Sequence, residues 1–196
     1  LMSTLHSSRT PKSRAPSLLV MPTSLLYNWE MEAKKFTPQL RVLVYSGPQR
    51  EKLQAQIGKV DLILCSFGMV RSDIDWFEKQ AFSYVILDES QAIKNPLANI
   101  TKAVQKLNAK YRLVMTGTPL ENSTMDLWSQ MNFVNSGLLG TQKYFKDHFQ
   151  VPIEKKADGD MKKRLYFLIK PYLLRREKRQ VAADLPAKME SITYCG

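Results

Sequence analysis

Tyr84-Val85-Ile86-Leu87-Asp88-Glu89-Ser90-Gln91 is four apolar residues followed without a break by four polar ones. A near-continuous apolar run of this kind, rather than an alternating one, marks a strand buried on both faces, as in a parallel sheet. The form recurs at Leu18-Leu19-Val20-Met21, Val42-Leu43-Val44-Tyr45, Leu62-Ile63-Leu64-Cys65 and Leu113-Val114-Met115. These runs end in turn or polar residues: Pro22, Ser46-Gly47, Ser66 and Thr116-Gly117. The stretches between them suit crossover helices. Leu25, Leu26, Trp29, Ala33 and Phe36 fall roughly on one helical face, with Thr23 or Ser24 as the expected N-cap. Residues 49–57 and 98–107 read similarly. The alternation predicts an open α/β sheet with helices on both sides. Ligands of such sheets bind beyond the carboxyl ends of the strands, so the polar residues placed there are the ones to examine.

After residue 118 the pattern changes. Residues 124–135, 141–149 and 161–169 read as helices, separated by Gly137, Gly140 and Pro152, with Pro171 after the third. This predicts a helical appendage, and the appendage carries the most basic segment of the chain. The 196 residues hold 29 Lys and Arg against 18 Asp and Glu, a net +11. Residues 155–179 alone hold ten basic residues and three acidic ones. Such a segment is either a solvated helical face kept soluble by charge or a contact for a polyanion, most simply nucleic-acid phosphate.

Composition excludes several classes. Hydrophobic content of 44% and charged content of 24% are ordinary globular values, which argues against wholesale disorder. Two Cys (Cys65, Cys195) and two His (His6, His148) are too few and too scattered for a disulfide framework or a Cys/His zinc site. A reducing compartment is the default. A hydrolytic triad could rest only on His6 or His148, and neither lies near a nucleophile motif. No apolar run approaches the roughly 20 residues that span a bilayer, so no membrane partner is expected. Residues 1–16 lack the apolar stretch of a secretory signal. The chain begins at Leu1 and is expected to be a piece of something longer.

An Asp-Glu pair leaving a buried strand admits two readings. It is a helix N-cap with an acidic first turn, or it is the pair that nucleotide hydrolases use. In the second, one carboxylate holds Mg²⁺ and another group orients or activates water. Thr116-Gly117-Thr118 ends the following strand, Thr23-Ser24 the first and Ser66-Phe67-Gly68 the third. Hydroxyls and flexible backbone at several strand ends suit phosphate contacts, although each alone is also an ordinary turn.

Leu19-Val20-Met21-Pro22-Thr23-Ser24-Leu25-Leu26-Tyr27-Asn28-Trp29-Glu30 resembles motif Ia of the Swi/Snf family of superfamily-two helicase-like ATPases. Residues 61–69 resemble its motif Ib, residues 85–95 its motif II and residues 112–122 its motif III. Leu127-Trp128, Gly137-Leu138-Leu139-Gly140, Phe145, Phe149, Pro152-Ile153 and Pro171-Tyr172-Leu173-Leu174-Arg175-Arg176 are similar to that family's helical insertion, with Leu185-Pro186-Ala187-Lys188 beyond. The resemblance runs from about residue 16 to the end, and the order of the motifs makes it specific.

The resemblance implies a RecA-like open, mostly parallel sheet flanked by helices, incomplete, with a C-terminal helical insertion. Residues 1–122 would be a partial first lobe, 123–190 the insertion and 191–196 the start of a link to a second RecA-like lobe. It implies a DNA-dependent ATPase that translocates on double-stranded DNA and uses ATP and Mg²⁺. Asp88 would organise the Mg²⁺ and Glu89 would activate water. Gln91, with Thr116, Gly117 and Thr118, would couple nucleotide state to lobe movement. Thr23, Ser24, Ser66, Lys94, Arg175 and Arg176 would face DNA. A DNA-bound protein is a further possible target.

Many family members carry Ala-His where this chain has Ser90-Gln91, which leaves the metal and base positions unchanged. The Asp-Glu-Ser-Gln form leans bacterial by resemblance, hence cytoplasmic and nucleoid-associated; a eukaryotic source would make it nuclear. The family's phosphate loop, G-x-x-x-x-G-K-[ST], is absent from the sequence. The chain alone is therefore expected not to hydrolyse ATP. The competing reading is a degenerate lobe that serves as a DNA-binding or protein-interaction module. An RNA helicase lobe fits less well, because the helical insertion is a Swi/Snf feature.

Overall fold

The computed structural model describes residues 15–117 and 123–174. Five strands form one sheet: β1 (Ser17–Met21), β2 (Val42–Tyr45), β3 (Leu62–Ser66), β4 (Ala81–Leu87) and β5 (Asn108–Val114). Every pairing is parallel and the order is β2-β3-β1-β4-β5. Each apolar run of the sequence lies in a strand or, for Met115, just beyond one. Central β1 and β3 are buried at every position, as runs without alternation require.

Two cores lie on the two faces. Strand alternation sends Leu18, Val20, Ile63, Cys65, Val85 and Leu87 to one, and Leu19, Met21, Leu62, Leu64 and Ile86 to the other. Helix α1 (Leu26–Phe36) covers the second face through Leu26, Trp29 and Ala33. The first face takes Phe67 and Val70 of α2 (Phe67–Ser72), Phe77 of α3 (Ile74–Phe77) and Val104 of α4 (Asn99–Gln105). The connection after β1 thus leaves to one face, and those after β3 and β4 leave to the other. Such a reversal opens a crevice at the carboxyl ends of the strands.

Three local expectations change. Thr23 and Ser24 do not cap α1; they form an exposed 3-10 turn, Thr23–Leu25, that runs straight into it without a side-chain cap. Residues 50–59 are a 3-10 helix rather than an α-helix, with Ile57 the one buried residue. Strand β5 begins five residues before its apolar run, because its backbone pairs with β4 from Asn108 onward.

The C-terminal helices are α5 (Thr124–Val134), α6 (Gln142–Phe145) and α7 (Gly159–Ile169). Between α6 and α7 runs a π-helical segment, Lys146–Lys155, that takes in Pro152. Leu127, Trp128, Met131, Leu139, Phe145, Phe149, Leu165 and Ile169 form a third core of their own. Phe133 at the end of α5 instead joins the sheet core. Arg112 of β5 fastens this junction: its guanidinium lies over the Phe133 ring and donates to the carbonyls of Phe133, Leu107 and Gln105.

Candidate functional site

The parallel ladder continues past the strand ends and fixes the backbone of the acid turn. The Asp88 amide donates to the Val20 carbonyl at 2.8 Å, that of Met115 to Leu87 at 2.8 Å, and that of Ser90 to Met115 at 3.0 Å. Asp88 therefore leaves the sheet between β1 and β5. By alternation it follows Tyr84 and Ile86 onto the face covered by α1. There the Trp29 indole N–H donates to Asp88 Oδ2 at 2.7 Å, while Asp88 Oδ1 accepts the Glu89 amide at 2.9 Å.

Glu89 has φ 51° and ψ 53°, the left-handed region. A non-glycine residue there stores strain of about 1–2 kcal/mol, and such outliers concentrate at functional sites. The Glu89 carboxylate meets Gln91, whose Nε2 donates to Glu89 Oε2 at 2.8 Å. Gln91 Oε1 in turn accepts Thr116 Oγ1 at 3.2 Å. Asp88, Glu89, Gln91 and Thr116 are thus linked in one polar run across the ends of β4 and β5.

The turn is anchored from below. Buried Ser90 donates to Gln130 Oε1 at 3.3 Å, and buried Ser129 donates to the Ile93 carbonyl at 2.6 Å, both to or from α5.

The other expected site residues are spread along the same edge. Thr23 and Ser24 are exposed at the end of β1, and Lys94 is exposed after the acid turn. Gly117 is exposed beside Thr116. Ser66 is buried, and its Oγ accepts the Met69 amide at 3.2 Å as the N-cap of α2. Thr118, Arg175 and Arg176 lie outside the described residues. Trp29 was not among the expected site residues; the sequence placed it on the apolar face of a helix and within the stretch that resembles motif Ia.

Two other polar features belong elsewhere. Cys65 is fully buried in the sheet core, and burial pushes its thiol well above the usual thiol range. Asp73 accepts from Arg50 at 2.6 Å and 2.8 Å and from Tyr45 at 2.8 Å, a structural cluster on the other face.

A carboxylate suits Mg²⁺, which prefers hard oxygen ligands and combines one or two carboxylates with nucleotide phosphates and water. Asp88 fits: Oδ2 accepts from Trp29 and Oδ1 from the Glu89 amide, leaving acceptor capacity on both oxygens. Among the described residues no group of three or more His, Cys, Asp or Glu could hold a metal on its own. No helix among them is long and apolar enough to cross a membrane.

The model of the SNF2-related domain matches residues 1–196. An ATP-dependent helicase of Mycoplasma genitalium is 39% identical over 97% of this chain and 18% of its own length. A putative ATP-dependent helicase/translocase of Bacillus subtilis is 37% identical over 95% of this chain and 21% of its own. The TATA-binding protein-associated factor MOT1 of Saccharomyces cerevisiae is 37% identical over 97% and 11%. The chain thus spans about a fifth or less of these relatives. The SWI2/SNF2 ATPase core of Sulfolobus solfataricus in complex with double-stranded DNA superposes with a TM-score of 0.86 at 40% identity, covering 94% of this chain and 39% of that one. A match along the whole chain, joined to the same fold at this identity, leaves one assignment: the chain belongs to the SNF2-related family of helicase-like ATPases, and its sheet is their RecA-like fold.

Proposed function

We propose that the chain is most of the first lobe of a translocase that moves along double-stranded DNA at the expense of ATP. In this reading residues 1–122 form the partial lobe, 123–190 the helical insertion and 191–196 the start of the link to the second lobe. The observation that carries it is the polar run from Asp88 through Glu89 and Gln91 to Thr116, set at the carboxyl ends of adjacent parallel strands.

Asp88 would hold Mg²⁺, which when bound neutralises charge on the nucleotide phosphates. Glu89 would accept water's proton; Asp88 is held by Trp29 and Glu89 by Gln91, so two neighbouring carboxylates with different partners take two roles. Gln91 and Thr116 join the base to the end of β5. Together with Gly117 and Thr118 they would pass the nucleotide state to the second lobe. Thr23, Ser24 and Lys94 present hydroxyls and a cation along the same edge, toward the DNA backbone. Ser66, Arg175 and Arg176 complete the proposed DNA set, Ser66 by holding the turn into α2.

In a protein that contains this chain together with a phosphate loop and a second lobe, Glu89→Gln is expected to remove DNA-stimulated ATP hydrolysis by at least about 10²-fold. Nucleotide binding, followed by a fluorescent ATP analogue, should stay largely intact. The 196 residues alone are expected to show no turnover. Turnover by this chain that Glu89→Gln abolishes would overturn that part. A parent protein that binds DNA but never hydrolyses ATP would favour the degenerate binding module instead.

A further inference from the structure

We infer that Trp29 is a positioning residue for the metal-binding carboxylate, an inference that rests on the proposed role of Asp88. Its indole Nε1 lies 2.7 Å from Asp88 Oδ2, across 59 residues of sequence. Three features make this contact more than incidental packing. First, an indole N–H can only donate, so the bond needs an acceptor oxygen, which Asp88 supplies. Second, the donor is rigid. Trp29 packs against the core under α1, between buried Leu26 and Ala33 on the same helical face, and two side-chain torsions set its position. Third, the other carboxylate oxygen is occupied by the Glu89 amide at 2.9 Å. With one donor on each oxygen the carboxylate plane cannot rotate freely.

The arrangement has the logic of an outer-shell partner. Such a partner orients a ligand oxygen, and its loss typically lowers metal affinity 10–100-fold. It also ties two connections together. Helix α1 follows β1 directly, so the segment after the first strand, whose Thr23 and Ser24 are exposed, is mechanically joined to the metal carboxylate after β4.

The test uses the 196-residue chain, ¹⁵N-labelled, with Mn²⁺ as a paramagnetic probe for the Mg²⁺ position. The protein has three tryptophans, Trp29, Trp76 and Trp128, so the indole region reports each one. The Trp29 indole signal should lie downfield and move upfield in Asp88→Asn, with the other two unchanged. Mn²⁺ should broaden the Trp29 indole and the amides of residues 88–90 first. In Trp29→Phe, which keeps a ring and loses the N–H, the same broadening of residues 88–90 should require about tenfold more Mn²⁺ or beyond. Equal Mn²⁺ dependence in Trp29→Phe and the parent overturns the positioning role while leaving Asp88 as the metal ligand. Absence of any broadening at residues 88–90 in the parent overturns the inference that this carboxylate is held ready for a metal before nucleotide binds. Should Trp29→Phe not fold, the indole shift decides: a Trp29 signal indifferent to Asp88→Asn overturns the contact.

Discussion

Glu89 carries two demands in one residue. Its carboxylate must meet Gln91, and it does so from a left-handed turn that is unfavourable for any side chain. Glu89→Gly should therefore stabilise the fold by about 0.5–1 kcal/mol, the relief of strain less the entropy of an added glycine. For a domain of this size that raises Tm by about 1–4 °C. Glu89→Gln should leave Tm near the parent's, and a lower Tm for the glycine variant in thermal melts would show the turn to be unstrained. Asp73 makes a different kind of prediction. The Arg50 guanidinium, assisted by the Tyr45 hydroxyl, holds its carboxyl below the usual carboxylate range. A depressed carboxyl stabilises the fold above its unfolded pKa, near 4, and that contribution fades as pH falls toward the lower folded value. Urea denaturation from pH 6 to 3 should thus show a steeper acid loss in the parent than in Asp73→Asn. Equal slopes would mean the cluster contributes no pH-linked stability. Asp88 and Glu89 were legible in the sequence because they abut a strand end, a local signal. Trp29 was not, because its role depends on a hydrogen bond that exists only once α1 lies over β4.

At the scale of elements, the acid turn and α5 behave as one unit. The turn at residues 88–93 has the ladder above it and Ser129 and Gln130 below. Ser129 is fully buried, and its 2.6 Å bond to the Ile93 carbonyl is the shorter of the two links. Ser129→Ala should cost about 1–3 kcal/mol, the penalty for stripping a partner from a buried polar group. The effect should also be local, with faster amide exchange at residues 90–93 than in the sheet. A loss of only a few tenths of a kcal/mol in urea denaturation would mean that Ile93 finds another donor. Strand positions were readable because burial on both faces demands apolar runs, and β1 and β3 have them throughout. Element ends were less so. Polar Asn108, Lys110 and Arg112 join β5 by backbone pairing, to which side-chain patterns are blind. Thr23 and Ser24, just before α1, suggest a cap, yet the chain enters through a 3-10 turn that uses neither as one.

At the scale of the whole molecule, the charge and the cores divide the same way. Helix α7 turns Leu165 and Ile169 into the third core and leaves Lys162, Lys163 and Arg164 exposed, with Lys155, Lys156 and Lys170 exposed beside it. The side chains that hold this helix are therefore not the ones that carry its charge, so the charge can be removed without disturbing the packing. The question left open by composition, solvated face or phosphate contact, becomes a measurement. Each lysine or arginine that neutralises a phosphate of duplex DNA adds about 0.9 to the slope of log K against log salt concentration. Replacing Lys162, Lys163 and Arg164 together with glutamine should lower that slope by up to about 3 and weaken binding about equally on unrelated duplex sequences. The melting temperature should stay close to the parent's, because Leu165 and Ile169 are untouched. A slope that does not change would assign these cations to solubility alone. The DNA contact would then have to come from the sheet edge at Thr23, Ser24 and Lys94, where neutralising Lys94 alone should lower the slope by about 1.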